Sequence, residues 1–416
     1  VRPIESSTDN LLGRAFLLFQ GPSSPFFTHL GHALQSQGAS VTRIGFCPGD
    51  RLYWGRNAGA YLPYRGKQGN LPEFLDKVLV EKEITDLIML GDGRSIHKTA
   101  IDAARRSGGR VQPWIVEHGY LRPGLVAIEP WGMGGRSLIP QLALETPYTP
   151  DEYNAPEPQP SSFLRYAALD VGYHVSNLAL SWINYPNYRP HALDGPIREY
   201  SGWVMKALKR RQRRKAQQAA QAEIEATSGP IFLLPLQLET DYQIRDHGTG
   251  DPLQLTLGRI IASFANHAPQ NARLVVKVHP LDNGLTPWAQ LTSDTALEHR
   301  ILDRVTFLDG GQIEQLLDIA RGVVTVNSTV GLTSLIQQVP THVMGKAVYK
   351  QDGLNDPQAL DLFWQNPVKP DAARMRRFRD ILQRDFHVAG SFDGPGALDG
   401  ARNLALHLSA HPPTGT

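Results

Sequence analysis

The chain has one cysteine, Cys47, in 416 residues, which excludes an intrachain disulfide framework and a cysteine-built zinc site. It has no apolar run approaching the ~18 to 20 residues that a membrane helix requires, and Val1-Arg2-Pro3-Ile4-Glu5 lacks the apolar core of a secretion signal. A cytoplasmic location is therefore the expectation. No Asp-x-Asp triplet occurs, so the short carboxylate motif that clamps a divalent cation onto a sugar nucleotide is missing and no metal is expected. Gly-x-x-x-x-Gly-Lys-Ser/Thr and Gly-x-Gly-x-x-Gly are also absent, which speaks against a P-loop ATPase and a dinucleotide enzyme. Charge of one sign is lacking as well: 42 Lys and Arg against 40 Asp and Glu leave a net +2, and no nucleic-acid partner is expected.

What is present reads as a folded protein, with 41% hydrophobic and 20% charged residues. The length suits two domains of ~200 residues each. Residues 14–20 form an apolar run of strand length, Gly21-Pro22-Ser23-Ser24-Pro25 breaks it, and 26–37 has helical spacing. Further strands are expected at 40–46, 86–90 and 111–116, with a helix at 97–106, an alternation that argues a parallel sheet wound by helices. Residues 129–165, rich in Pro, Gly and Tyr, read as surface loops reaching over a cleft. Helices are expected at 165–182 and 195–226. After Gly229-Pro230 a second α/β unit begins, with strands at 231–235, 273–278, 305–308 and 322–326 and helices near 252–267, 313–320 and 331–338. The domain boundary is placed near 228, giving domains of 1–228 and 229–416, with the last helix packing back on the first. The expected class is α/β, as two Rossmann-like doubly wound domains facing an interdomain cleft, the architecture called GT-B.

Lys206, Lys209, Arg210, Arg211, Arg213, Arg214 and Lys215 form the one strongly basic stretch. With few large apolar neighbours it reads as an exposed linker helix. Attraction to anionic lipid headgroups is the functional alternative to a plain solvated face.

Four segments fall just past expected strands, where a doubly wound sheet exposes side chains to its crevice. In Gln20-Gly21-Pro22-Ser23 the glycine permits a sharp turn and the following helix start offers N–H groups to an anion; any strand-to-helix turn can look the same. Glu117-His118-Gly119-Tyr120-Leu121-Arg122 sets a carboxylate beside an imidazole, which suits a general base, or equally a surface pairing of Glu117 with Arg122. In Pro235-Leu236-Gln237-Leu238-Glu239-Thr240-Asp241 a strand runs from apolar to acidic. Asp241 reads either as a nucleophile toward an anomeric carbon or as a helix cap. Lys277-Val278-His279-Pro280 and Asn327-Ser328-Thr329-Val330-Gly331 together offer an imidazole and a helix start to a departing phosphate, or are a coincidence of capping and core residues.

In this order, from about 14 to 340, the segments resemble the capsule polysaccharide biosynthesis proteins of the KpsS and KpsC type. The resemblance implies retaining β-Kdo transfer from CMP-β-Kdo on a GT-B fold, with no cofactor and no metal. It makes Asp241 the nucleophile and Glu117 the base, with His279, Ser328 and Thr329 handling the CMP phosphate. Gln237, Lys277, Pro280, Asn327 and Arg245 then fall on the donor side, where Lys277 and Arg245 are candidates for the carboxylate of the sugar. Gly21, Pro22, Ser23, His118, Gly119, Tyr120 and Arg122 fall on the acceptor side. The acceptor is expected to be a glycolipid or glycan. Single-module members prime a lipid, lysophosphatidylglycerol, and this chain has one module, so peripheral contact with the inner face of the cytoplasmic membrane is expected through Lys206 to Lys215. Where several relatives carry a second acid, this chain has His118. The competing readings are a transferase using CMP-sialic acid or a UDP-sugar, a sugar-nucleotide epimerase, and a non-catalytic adaptor for capsule precursor or export.

Overall fold

The computed structural model of the protein describes residues 10–141, 163–190, 195–239 and 241–412. Contacts divide the chain into two units, one of residues 1–191 with 380–416, the other of 192–379.

In the first unit the chain forms β1 (Ala15–Leu18), β2 (Ser40–Gly45), β3 (Ala60–Pro63), β4 (Asp86–Leu90), β5 (Gln112–His118) and β6 (Leu125–Pro130). The order β3-β2-β1-β4-β5 is parallel throughout, and β6 runs antiparallel to β5. Successive residues of a strand point to opposite faces, and both faces are covered. Phe16 and Leu18 pack with Phe26, Leu30 and Leu34 of the helix Phe26–Gln35, while Leu17 and Phe19 pack with Leu75, Leu79, Ile101 and Ala104 from the helices Leu71–Glu81 and Ser95–Arg106. This two-sided burial is why β1 reads as a continuous apolar run.

The second unit holds β7 (Ile231–Pro235), β8 (Arg273–Lys277), β9 (Val305–Leu308), β10 (Ala320–Thr325) and β11 (Thr341–Val343), in the order β11-β10-β7-β8-β9, all parallel. On one face Phe232 stands edge-on to Phe264 and Trp364, with centroids 6.3 and 5.1 Å away. On the other, Ile231, Leu233 and Val275 pack with Ala220 and Ile224. The chain then returns to the first unit as β12 (His387–Ala389), antiparallel to β6, and the helix Gly396–Ala410, whose Leu404 and Leu408 join the core around Phe26. Each unit has the Rossmann strand order, and the chain carries the two Rossmann-like lobes of a GT-B protein.

The division differs from the boundary expected near 228. The helices Pro196–Leu208 and Arg210–Glu225 belong to the second unit, because Ala220 and Ile224 are buried under its sheet and two of the basic residues are fixed there. Arg213 Nε and Nη2 hold Asp309 at 2.5 and 2.7 Å, and Lys206 Nζ donates to the carbonyl of Asp282 at 2.5 Å. The exposed linker is thus a packed pair of helices with one solvent-facing side. The expected irregular region 129–165 falls mostly on 142–162, outside the described residues; its start closes β6, followed by a short 3-10 turn at Gly134–Arg136.

Leu404, on the terminal helix, is fully buried in the core that includes Phe26. Leu404→Ala is expected to cost about 2–5 kcal/mol, seen as a lowered urea midpoint, whereas the exposed neighbour change Leu398→Ala shifts it little.

Candidate functional site

A parallel sheet that grows outward in both directions from a central strand leaves a crevice at the carboxyl ends of the two strands where the order reverses. In the second unit these are β7 and β10, and the residues following them are bonded to each other. Gln237 Nε2 donates to Asn327 Oδ1 at 2.8 Å, Asn327 N donates to Gln237 Oε1 at 3.2 Å, and Asn327 Nδ2 donates to the carbonyl of Gln243 at 2.8 Å. The neighbouring β8 pairs Lys277 with Pro235, so Val278, His279 and Pro280 emerge beside the same crevice. His279 Nδ1 accepts from Leu281 N at 3.1 Å, which places the proton of the neutral ring on Nε2. Lys277 is buried, and burial pulls its ammonium below the ordinary lysine range against the opposing pull of Asp309 and Glu314.

Asp241 sits at the N-cap of the helix Tyr242–His247, with Oδ1 accepting from Gln243 N at 2.8 Å. Arg245, on the same helix, stacks its guanidinium 4.9 Å over the Tyr242 ring. Ser328 caps the helix Thr329–Ile336, its hydroxyl accepting from Val330 N at 3.2 Å. Its carbonyl is held by the Tyr349 hydroxyl. Gly331 is required by packing: a Cβ there would lie 2.5 Å from the Tyr349 hydroxyl.

In the first unit the reversal lies between β1 and β4. Gln20, which follows β1, is buried, and its Oε1 accepts from Arg94 Nη1 at 3.2 Å. Its Nε2 donates to Tyr173 Oη at 3.1 Å and to Asp50 Oδ2 at 3.3 Å. Asp50 in turn lies 3.5 Å from Arg43, and both side chains are almost wholly withdrawn from solvent. A carboxylate only accepts, so Asp50 fixes which end of the Gln20 amide faces inward and presents the oxygen to Arg94. Cys47 belongs to this cluster; burial pushes its thiol up to about 12, so it stays protonated. Next to the cluster is a cavity of about 220 Å³ lined by Gly21, Pro22, Ser23, Arg94, His118, Tyr173 and Asp393 among others. Gly21 allows its mouth to form, since a Cβ would meet the Phe27 ring at 2.6 Å. A second cavity, of about 440 Å³, shares His118 and Asp393 with the first and is also lined by Arg122.

Glu117 and His118 end β5 beside these cavities. Glu117 Oε1 accepts from His118 N at 3.1 Å. Burial raises the Glu117 carboxyl above its ordinary value, opposed by the His118 N–H, Arg122 and Arg94. The surrounding protein, with Arg122, pushes His118 down to about 4 although the ring keeps an exposed edge, so it is neutral at pH 7. Gly91, at φ +65, passes so close that a Cβ would stand 3.2 Å from Glu117 Oε2. Gly119 is pinned from behind, with Leu125 O and His387 Cδ2 at 2.8 and 3.0 Å from where its Cβ would be. His387 Nε2 accepts from Tyr120 N at 2.9 Å while its Nδ1 donates to the carbonyl of Leu382 at 2.7 Å. Arg122 Nε donates to the carbonyl of Gly119 at 3.1 Å.

The sequence-derived residues thus gather in two sets, each inside one unit. Gln237, Asp241, Arg245, Lys277, His279, Pro280, Asn327, Ser328 and Thr329 lie in the second; Gly21, Pro22, Ser23, Glu117, His118, Gly119, Tyr120 and Arg122 lie in the first. Tyr120 turns inward, its hydroxyl donating to buried Glu129 at 2.5 Å. Arg94, Asp50, Tyr173 and Asp393 were not singled out from sequence. Arg94 alone had a local signal, following Gly91-Asp92-Gly93 at a strand end. Among the described residues no three His, Cys, Asp or Glu side chains converge to hold a metal ion, and no helix is long and apolar enough to cross a membrane.

Glu129 is fully buried, and its carboxyl is pushed up to about 8, chiefly by burial, with Asp92 adding and the Ser137 and Tyr120 hydroxyls opposing. Between the ordinary value of 4.5 and about 8 the folded state binds more protons than the unfolded chain, so stability falls as pH rises through that window. Glu129→Gln is expected to flatten this slope and to be more stable than the parent at the alkaline end, as read from urea midpoints across the same range.

Comparison with known proteins gives the family. The family described as "Capsule polysaccharide biosynthesis protein" matches residues 85–392. Escherichia coli "Capsule polysaccharide export protein KpsS" is 30% identical over 383 residues, covering 89% of this chain and 95% of that protein. Neisseria meningitidis "Capsule polysaccharide modification protein LipB" is 29% identical, covering 94% of each. Among solved structures, "Thermosulfurimonas dismutans KpsC, beta Kdo 2,7 transferase" covers 88% of this chain and 89% of its own, at 14% identity and a TM-score of 0.45. With a family match that spans both units and a near full-length relative of this similarity, the chain belongs to the capsule polysaccharide biosynthesis protein family.

Proposed function

We propose that the chain is a glycosyltransferase of capsule polysaccharide assembly that moves β-Kdo from CMP-β-Kdo to an acceptor with retention of configuration and without a metal. The observation that carries this reading is the gathering of Asp241, His279 and the Asn327-Ser328 turn at the carboxyl ends of three adjacent strands, β7, β8 and β10, in a Rossmann-ordered unit. Such ends are where this fold class takes nucleotides. Family membership supports the capsule setting, and the motif resemblance supplies the donor.

In this reading an Asp241 oxygen attacks the anomeric carbon as its bond to the CMP phosphate breaks, and the leaving electron pair goes to the phosphate oxygen. His279, with its ring proton on Nε2, donates to that oxygen, and N–H groups at the start of the helix Thr329–Ile336 share its charge. The N-cap bond to Gln243 N fixes the orientation of the Asp241 carboxylate. In the second step the acceptor hydroxyl attacks the same carbon, the ester to Asp241 breaks, and Glu117 takes the hydroxyl proton. Burial makes Glu117 a stronger base than an exposed carboxylate. Two inversions give net retention. Lys277 and Arg245 are assigned to the donor's carboxylate, and Gly21 to Ser23, His118, Gly119, Tyr120 and Arg122 to the acceptor side, a glycolipid or glycan. The solvent-facing Lys209, Arg210, Arg211, Arg214 and Lys215 are assigned to peripheral contact with anionic lipid at the cytoplasmic membrane's inner face.

Asp241→Asn is expected to lose transfer from CMP-Kdo by on the order of a thousandfold or more while keeping the stabilisation by CMP, which at ~100 times its dissociation constant amounts to about 2.7 kcal/mol. Undiminished transfer by the folded variant, or stabilisation by UDP and none by CMP, overturns the reading. Glu117→Gln is expected to lose about 10²- to 10⁴-fold. The parent's acidic limb in kcat/KM is expected above the ordinary carboxylate value of 4.5 and to vanish in the variant. Transfer surviving EDTA is the result expected for the metal-free route.

A further inference from the structure

Arg94 occupies a place that its helix does not ask for. It is the N-cap residue of the helix Ser95–Arg106, yet its side chain makes no capping bond there, and a cation at the positive end of a helix is unfavourable. The guanidinium is held from the side. Its Nη1 donates to Gln20 Oε1 at 3.2 Å, and the Gln20 amide is fixed by Tyr173 at 3.1 Å and Asp50 at 3.3 Å. Asp50 lies 3.5 Å from Arg43, with both side chains almost wholly out of solvent. A buried chain of polar groups thus ends on the half-buried Arg94. Arg94 is not needed to balance charge within that chain, since Asp50 already has Arg43.

The loop that carries Arg94 runs against the end of β5. Leu90 pairs with Val116, Gly91 N donates to the Val116 carbonyl at 3.0 Å, and a Cβ on Gly91 would stand 3.2 Å from Glu117 Oε2. Charged and titratable groups reach Glu117 from several elements. The loop after β4 brings Asp92 and Arg94, and the turn after β5 brings His118, Tyr120 and Arg122. Glu129 of β6 and His387 of β12 lie on the same face of the ladder. Around the adjoining cavity of about 220 Å³ stand Tyr166, Asp170, Tyr173 and His174 of the helix Phe163–Asn184, with Asp393 from the terminal segment. His118 and His387 are neutral above about 4, and Glu129 is protonated below about 8. Burial raises the Glu117 carboxyl; the His118 N–H, Arg122 and Arg94 oppose it, and Asp92 adds to it. Arg122 is exposed and uses Nε on the Gly119 carbonyl, so solvent screens its charge. Arg94 is the cation that the fold itself fixes beside β5.

We propose that Arg94 is a positioning residue for Glu117: fixed through Gln20, its guanidinium holds the Glu117 carboxylate in the ionised form that takes a proton from the acceptor hydroxyl. This role rests on the reading of Glu117 as the base. Gln20 is then the group that keeps Arg94 from swinging into solvent.

Arg94→Gln removes the charge and keeps a donor for Gln20, Arg94→Asn is a second neutral variant with a side chain suited to an N-cap, and Arg94→Lys keeps the charge. Arg105→Gln, on the same helix, removes an exposed charge paired with Asp102 and is the control. The titration of Glu117 is followed by NMR of chain labelled at the glutamate side-chain carboxyl carbons, its resonance assigned by its loss in Glu117→Gln. It is expected to move up by about one pH unit in the two neutral variants and to stay near the parent's in Arg94→Lys and Arg105→Gln. An unmoved titration in a neutral variant whose circular dichroism matches the parent's overturns the proposal, with neither donor nor acceptor present. In transfer from CMP-Kdo to lysophosphatidylglycerol, the acidic limb of kcat/KM is expected to follow the carboxyl. The neutral variants then lose about tenfold below both limbs and approach the parent as pH rises, while Arg94→Lys keeps the parent's limb. A loss of equal size at every pH overturns the proposal in favour of a direct contact with substrate. A carboxyl that moves while the limb stays put removes Glu117 as the base, and this role for Arg94 with it; an unmoved carboxyl removes Arg94 alone.

Discussion

A glutamine closes the reversal point of each sheet, and the candidate residues of each unit are arranged around it. Where strand order turns back, adjacent strands diverge past their carboxyl ends, and the backbone groups there lose the partner that the ladder supplied. Gln20 bridges from the end of β1 to Arg94 beyond β4, and Gln237 bridges from the end of β7 to Asn327 beyond β10. An amide serves here because it donates and accepts at once. In the first unit the bridge anchors the loop that holds Gly21 to Ser23, and in the second it joins the loops that hold Asp241 and Ser328.

Burial is put to different uses around these bridges. At Glu129 it favours the neutral acid, and the hydroxyls of Tyr120 and Ser137 only partly offset the effect. At Glu117 the same cost is moderated by a backbone N–H and two arginines, which leaves a carboxylate more basic than usual yet still supported as an anion. His118 and His387 are held neutral because burial outweighs the support that Asp393 gives the first ring and the Leu382 carbonyl gives the second. For His387 that neutrality is structural, because its Nε2 must accept from Tyr120 N to hold the turn after Glu117.

Much of this was legible along the chain. Apolar runs of strand length ending in Gln-Gly or Leu-Gln mark β1 and β7, because a strand buried on both faces has no alternation to hide it. Asp241 admitted two readings, and the cap is the one the geometry displays. The helix Arg210–Glu225 misled because Ala and Gln dominate it, and only Ala220 and Ile224 reveal the buried side. Tyr173 could not be joined to Arg43 and Asp50 from sequence, since it lies 123 residues from Asp50 and meets it only once the sheet and its helices have formed. The short β12 carries too few residues to show a period, yet it holds the Gly119-Tyr120 turn.

That last strand bears on the order in which the protein is made. The second unit is complete in one stretch, 192–379, whereas the first needs residues 380–416 to finish its sheet and cover Phe26. During synthesis the inserted unit is translated before the edge strand and the helix that complete the first. His387 reaches Tyr120 only after the whole second unit has been translated, so the turn bearing Glu117 is set later than the loops that follow β7, β8 and β10.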